Sequence, residues 1–120
     1  MAKILIIDDS ALSRRILRKM LEGAGHQVLE AGNGIGGLEC YFLERPDLTI
    51  LDLTMPDMHG LDVLTRLRQL DPQARVVIAT ADIQSSTRAL AVEAGAAGFL
   101  NKPLTADALL QAVAAVLGQA

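Results

Sequence analysis

Aromatic side chains are scarce: Tyr41, Phe42 and Phe99 are the only ones in 120 residues, and tryptophan is absent. That scarcity disfavours a surface that stacks nucleobases on aromatic rings, and it leaves the core to be built from Leu, Ile, Val, Ala and Met. There is a single cysteine, Cys40, so neither an intrachain disulfide nor an all-cysteine metal site is available. Set among Leu38, Tyr41 and Phe42, that cysteine reads as a small buried filler. No basic tract stands out, and 11 basic against 14 acidic residues give a net charge of −3. Direct nucleic-acid binding needs clustered Lys and Arg and is not expected. No uninterrupted apolar stretch approaches the roughly 20 residues that span a bilayer, and the opening MAKILIIDDS is too short and too soon acidic for a signal peptide. A cytoplasmic protein without membrane insertion is the expectation. His26 and His59 read as surface residues and suggest no transition-metal site.

What the chain does have is alternation. Lys3 to Ile7 is a near-continuous apolar run, the pattern of a strand covered on both faces. Ser10 or Asp9 can cap a helix from Ala11 to Gly23, whose apolar positions Leu12, Ile16, Leu17, Met20 and Leu21 recur at helical spacing. Gln27 to Ala31 gives a second strand, and Asn33-Gly34 opens a helix to about Leu43. Gly36 and Gly37 weaken that helix by about 1 kcal/mol each relative to Ala, unless they serve a close backbone approach. Leu48, Ile50, Leu51 and Leu53 form the central strand run. Pro56 and Gly60 mark a structured turn into a helix carrying Leu61, Val63, Leu64, Leu67 and Leu70. A fourth strand is expected from Arg75 to Ala79, a helix across Ser85 to Ala94, a fifth strand at Phe99-Leu100-Asn101, and a last helix capped by Thr105 and running to Leu117. Short connections between alternating strands and helices imply an α/β fold, a doubly wound parallel five-stranded sheet with helices on both faces. At this length one domain over residues 1–120 is expected.

The chemistry gathers at the carboxyl ends of the strands. Asp8 and Asp9 follow the first, Asp52 ends the central run, Thr80 follows the fourth, and Lys102-Pro103 follows the fifth. An open α/β sheet binds ligands at this edge. Carboxylates crowded there repel one another unless a hard dication sits among them, and Mg²⁺ fits because it accepts a few carboxylates while keeping waters or phosphate oxygens. Lys102 adds a positive charge and Thr80 a hydroxyl donor, which together suit a tetrahedral, multiply charged anion such as a phosphoryl group.

Asp8-Asp9, Asp52 in DLTMPDMHG, Thr80-Ala81 and Lys102-Pro103, in this order and at these distances, resemble the receiver domain of two-component response regulators, including single-domain chemotaxis regulators. The resemblance runs from Lys3 to Leu117. It implies a flavodoxin-like sheet of strand order 2-1-3-4-5 and assigns roles by position. Asp52 would be the phosphoacceptor. Asp8, Asp9, Asp52 and the backbone carbonyl of Thr54 would hold Mg²⁺. Thr80 and Lys102 would bind the phosphoryl group, with Phe99 at the place of a switch aromatic. Thr54 and Asp82 match positions that tune hydrolysis, and Pro56, Gly60 and Pro103 set loop conformation. Arg14, Arg15, Arg18 and Lys19 make a basic ridge where family members meet a phosphohistidine-bearing partner, so a sensor histidine kinase or histidine phosphotransfer protein is the implied donor.

Rival readings are a receiver excised from a larger multidomain regulator or hybrid kinase, a binding module that is not phosphorylated, and an aspartyl-phosphate phosphatase. The phosphatase class wants an acid two residues after its nucleophile, and Ser10 stands there after Asp8. A dinucleotide site wants a glycine-rich turn where Asp8-Asp9-Ser10 stands. The last helix, with Asp107 as its sole charge and no Lys or Arg between Thr105 and Ala120, offers little for a charged dimer interface. A monomer or weak dimer docking on an output protein is expected.

Overall fold

The computed structural model describes residues 2–82 and 84–118. Strand β1 (Lys3–Ile7) leads to α1 (Ala11–Gly23), β2 (Gln27–Ala31), α2 (Gly34–Glu44), β3 (Leu48–Leu51), α3 (Gly60–Leu70), β4 (Val76–Thr80), α4 (Ser85–Glu93), β5 (Gly98–Asn101) and α5 (Ala106–Leu117). All pairings are parallel, in the order β2-β1-β3-β4-β5. This is the flavodoxin-like topology, whose strand order reverses between β1 and β3 and opens a crevice beyond their carboxyl ends.

Period-two alternation divides the strands between two cores. Ile4, Ile6, Leu48, Ile50, Val77 and Ala79 cluster with Leu17 and Leu21 of α1 and with Leu109, Val113 and Val116 of α5. Leu5, Ile7, Leu51, Val76 and Ile78 cluster with Tyr41 of α2, with Val63, Leu64 and Leu67 of α3, and with Ala91 of α4. Ile4 to Ile7 are wholly inaccessible, and burying each such side chain contributes roughly 1.5–3 kcal/mol. The strand ends that carry the acids are therefore anchored by the best-packed part of the molecule.

Several local expectations shift. The fourth strand lies one residue later than Arg75 to Ala79, because Thr80 is in register with Asn101 and belongs to the ladder. The central strand ends at Leu51, which leaves Asp52 just beyond it with its N–H bonded to the Ile7 carbonyl at 2.9 Å. The second helix runs to Glu44 and the fourth ends at Glu93. Leu12 and Ile16 are not core residues: they are 67% and 45% exposed. Leu17 and Leu21 take the sheet-facing side of α1, and Leu12 and Ile16 instead line a cavity of about 470 Å³ with Pro103 and Leu104. Cys40 is half-buried against the second core rather than fully enclosed. The close approach anticipated at the glycines of α2 is real at Gly37, where an added Cβ would lie 2.5 Å from Ile7 Cδ1. Among the described residues, no helix is long and apolar enough to cross a membrane.

Candidate phosphoryl and metal site

The site starts from the end of β1. Ile7 is locked in the core, so Asp8 emerges at the base of the crevice and is only 1% exposed. The chain then turns at Ser10, which caps α1 by accepting the Ser13 N–H on its hydroxyl. This turn aims two donors at Asp8. The Ser10 N–H bonds Oδ1 at 2.9 Å and the Ser13 hydroxyl bonds Oδ2 at 2.7 Å. The Lys102 ammonium reaches the same Oδ2 at 2.7 Å. Arg14 Nη1 donates to the Asp8 carbonyl at 2.7 Å, so the backbone of the acid is held as well.

Asp52 lies beside it at the end of β3. Its Oδ1 accepts the Thr54 N–H at 3.3 Å, and its Oδ2 is 3.5 Å from Lys102 Nζ. Burial pushes the Asp52 carboxyl above the ordinary carboxylate range, although the Lys102 ammonium and the Thr54 N–H draw it back. Asp9 is exposed, and one oxygen from each of Asp8, Asp9 and Asp52 falls in a set whose members all lie within 4.8 Å of one another. Such an all-oxygen group suits a hard divalent cation, and Lys102 is the charge that keeps Asp8 and Asp52 together. The donor chemistry and spacing therefore fit the magnesium that the sequence implies.

The loop after Asp52 is shaped from below and from the side. Gly60 donates its N–H to the Leu53 carbonyl at 2.9 Å. A Cβ at Gly60 would strike Leu53 Cα and lie 2.6 Å from the Asp52 carbonyl oxygen, so the start of α3 can approach the strand end only without a side chain. Asp57 accepts the Gly34 and Ile35 N–H groups at 3.0 and 3.1 Å. Those two bonds hold its carboxyl below the usual range and tie the loop to the start of α2. His59 has a structural task, capping α3 through Nδ1, which accepts the Leu61 N–H at 3.1 Å. Pro56 is exposed in this loop, and the Lys102-Pro103 peptide is cis.

On the other flank Thr80 is fully buried at the end of β4, and its hydroxyl accepts the Asp82 N–H at 3.3 Å. Asp82 in turn accepts from Gln84 N at 2.9 Å and from the Thr87 hydroxyl at 2.8 Å, which lowers its carboxyl pKa. Phe99 on β5 is half-buried, with Arg88 Cζ 5.6 Å from its ring centroid.

The four basic residues of α1 do not form one free ridge. Arg14 and Arg18 both bind Glu30 of β2, at 3.1 and 2.6 Å, and Arg18 also reaches Glu22. Arg15 and Lys19 remain exposed. Sequence reasoning missed Ser13, the Arg14 contact with the Asp8 carbonyl, and Asp57. Ser13 had a signal in its place one helical turn after the cap. Asp57 had none, since its partners come from another helix.

Residues 4–114 match the family model described as the response regulator receiver domain. The chain belongs to that family. It is 40% identical over 112 residues to the chemotaxis protein CheY of Bacillus subtilis (strain 168), covering 92% of this chain and 93% of that one. It superposes with a TM-score of 0.95 on a CheY-like receiver domain from Methanospirillum hungatei, at 26% identity, covering 99% of this chain and 95% of that chain. A structure of the CheX-CheY-BeF3-Mg²⁺ complex from Borrelia burgdorferi matches with a TM-score of 0.92 at 29% identity, covering 95% of this chain and 87% of that chain. Within a receiver fold, the Asp8, Asp9 and Asp52 cluster forms an acidic site capable of phosphorylation and suited to a metal ion.

Proposed function

We propose that this receiver accepts a phosphoryl group onto Asp52 in a Mg²⁺-dependent reaction and thereby switches its docking to protein partners. The observation that carries the reading is the convergence of three carboxylates within 4.8 Å, with Lys102 Nζ 3.5 Å from Asp52 Oδ2. A bound Mg²⁺ would supply positive charge to the phosphoryl oxygens and to the acids, and Asp8, Asp9, Asp52 and the Thr54 carbonyl would hold it. The Borrelia relative, crystallised with BeF3 and Mg²⁺, supports that assignment.

In the transfer, a carboxylate oxygen of Asp52 forms the bond to phosphorus as the bond from phosphorus to the donor's imidazole nitrogen breaks. Lys102 neutralises charge on the transferred group, and Thr80 donates its hydroxyl to a phosphoryl oxygen. Asp82 and Thr54 border the group and set how readily water attacks it. A phosphoryl group with strong acceptors supplies the differential interaction that a two-state response at Thr80 and Phe99 requires. The donor is a sensor histidine kinase or histidine phosphotransfer protein. It meets the α1 side, where Arg15 and Lys19 provide the charge not already engaged by Glu30, and that charge acts on encounter rate more than on affinity. The α5 surface, nearly uncharged, meets the output partner.

The test is incubation with Mg²⁺ and a small phosphodonor, read by intact mass. The wild-type chain should gain one phosphate and Asp52→Asn none. An undiminished adduct in Asp52→Asn overturns the assignment.

A further inference from the structure

We infer that Ser13 is a positioning residue of the metal site, acting through Asp8. The inference rests on the reading of the acid cluster as a Mg²⁺ site.

Asp8 is almost fully buried, and each of its oxygens receives a donor from the first turn of α1: Oδ1 from the Ser10 N–H at 2.9 Å, and Oδ2 from the Ser13 hydroxyl at 2.7 Å. Two donors on two different oxygens fix the rotation of the carboxylate about its own bond, which neither would do alone. Lys102 shares Oδ2 at 2.7 Å, but its long flexible stem follows whichever acid it pairs with. The serine hydroxyl sits on a short side chain in a formed helix, so it is the rigid member of the pair. An ionised carboxylate has about four acceptor positions. Ser10, Ser13 and Lys102 occupy three, leaving Asp8 one direction free for the cation or for one of its waters. A ligand whose orientation is set in advance loses less freedom on binding, and partners of this kind are commonly worth about 10-fold or more in metal affinity.

Ser13 also lines the cavity beside α1, so the extra methyl of a threonine has room there. This separates the hydroxyl from mere packing. Ser13→Ala should weaken Mg²⁺ binding about 10-fold, and Ser13→Thr should restore it. Binding is followed by amide resonances in a Mg²⁺ titration without phosphodonor, and thermal melting without metal checks that each variant folds. If Ser13→Ala does not fold, Ser13→Cys, which keeps the volume but donates weakly, carries the same expected loss. Wild-type affinity in Ser13→Ala, or an equal loss in Ser13→Thr, overturns the role of the hydroxyl. No Mg²⁺ binding by the wild-type chain overturns the metal reading instead.

Discussion

The two flanks of the central strand are held very differently. On the β1 side, Asp8 is gripped by Ser10, Ser13, Lys102 and Arg14, and α2 presses Gly37 directly onto Ile7. On the β4 side, the buried Thr80 hydroxyl accepts the Asp82 N–H at a long 3.3 Å, Gln84 precedes α4 without a side-chain cap bond, and Phe99 is half-buried under Arg88. Burial does not follow this division, since the inner strands β1 and β4 are enclosed alike and the edge strands β2 and β5 are both partly open; the difference lies in the bonds at the strand ends. A dense flank keeps acids that repel one another at fixed separation. A sparsely held flank can be rearranged by a few new bonds to an anion. The two strand ends beside Asp52 thus differ in how many bonds hold them among the described residues.

The largest test of that contrast is Gly37→Val. The first atom of the new side chain meets Ile7 Cγ1 and Cγ2 at 2.8 and 2.9 Å as well as Cδ1. Ile7 is wholly buried and cannot turn away, so a loss of about 3 kcal/mol is expected, measured by urea denaturation. A neutral result would show that the dense flank can yield.

Tyr41→Phe should cost less, about 1 to 2 kcal/mol, because it removes a 2.7 Å hydrogen bond to the Asp71 carboxylate. The same bond, with the Gln73 N–H, holds Asp71 below the ordinary carboxylate range, while burial and Asp71 push the Tyr41 hydroxyl up. The contribution should be full between the ordinary values of about 3.9 for Asp and about 10 for Tyr. It should fade as pH falls through the lowered Asp71 value, and again above about pH 10 as the raised Tyr41 value is approached. Melting of both proteins across pH 2 to 8 tests the acid limb: the gap between them should close at the lowest pH, and a constant gap would leave Asp71 out of it.

The smallest stability effect is expected at Arg88→Ala on the sparse flank. A stacked, solvent-exposed arginine contributes roughly 0.5 kcal/mol, yet its removal should visibly shift the ring resonances of Phe99. A loss as large as that of Tyr41→Phe would erase the distinction between the flanks.

The alternating elements were legible because strands and helices leave different apolar periods in the chain. The acids were legible because Asp8 and Asp52 directly follow apolar residues, with Asp9 next to Asp8, and the carboxyl end of a buried strand is where an open α/β sheet gathers polar groups. Boundaries slipped by a residue at β4, where Thr80 continues the ladder because Asn101 stands in register opposite it. Leu12 and Ile16 show a deeper limit. Helical spacing marks an apolar face but does not say which part of it a sheet will cover.

Alternation, composition and the placement of acids after buried runs were decided locally, residue beside residue, and the sheet order follows from them through the chirality of short crossovers. Three features required the folded chain: Lys102 bridging to Asp8 across 94 positions, Glu30 drawing Arg14 and Arg18 out of the basic ridge, and Asp57 capping a helix that begins 23 residues earlier. Each depends on the register between elements that no local period records, because a side chain's periodicity names the face it occupies while only packing names the neighbour that meets it.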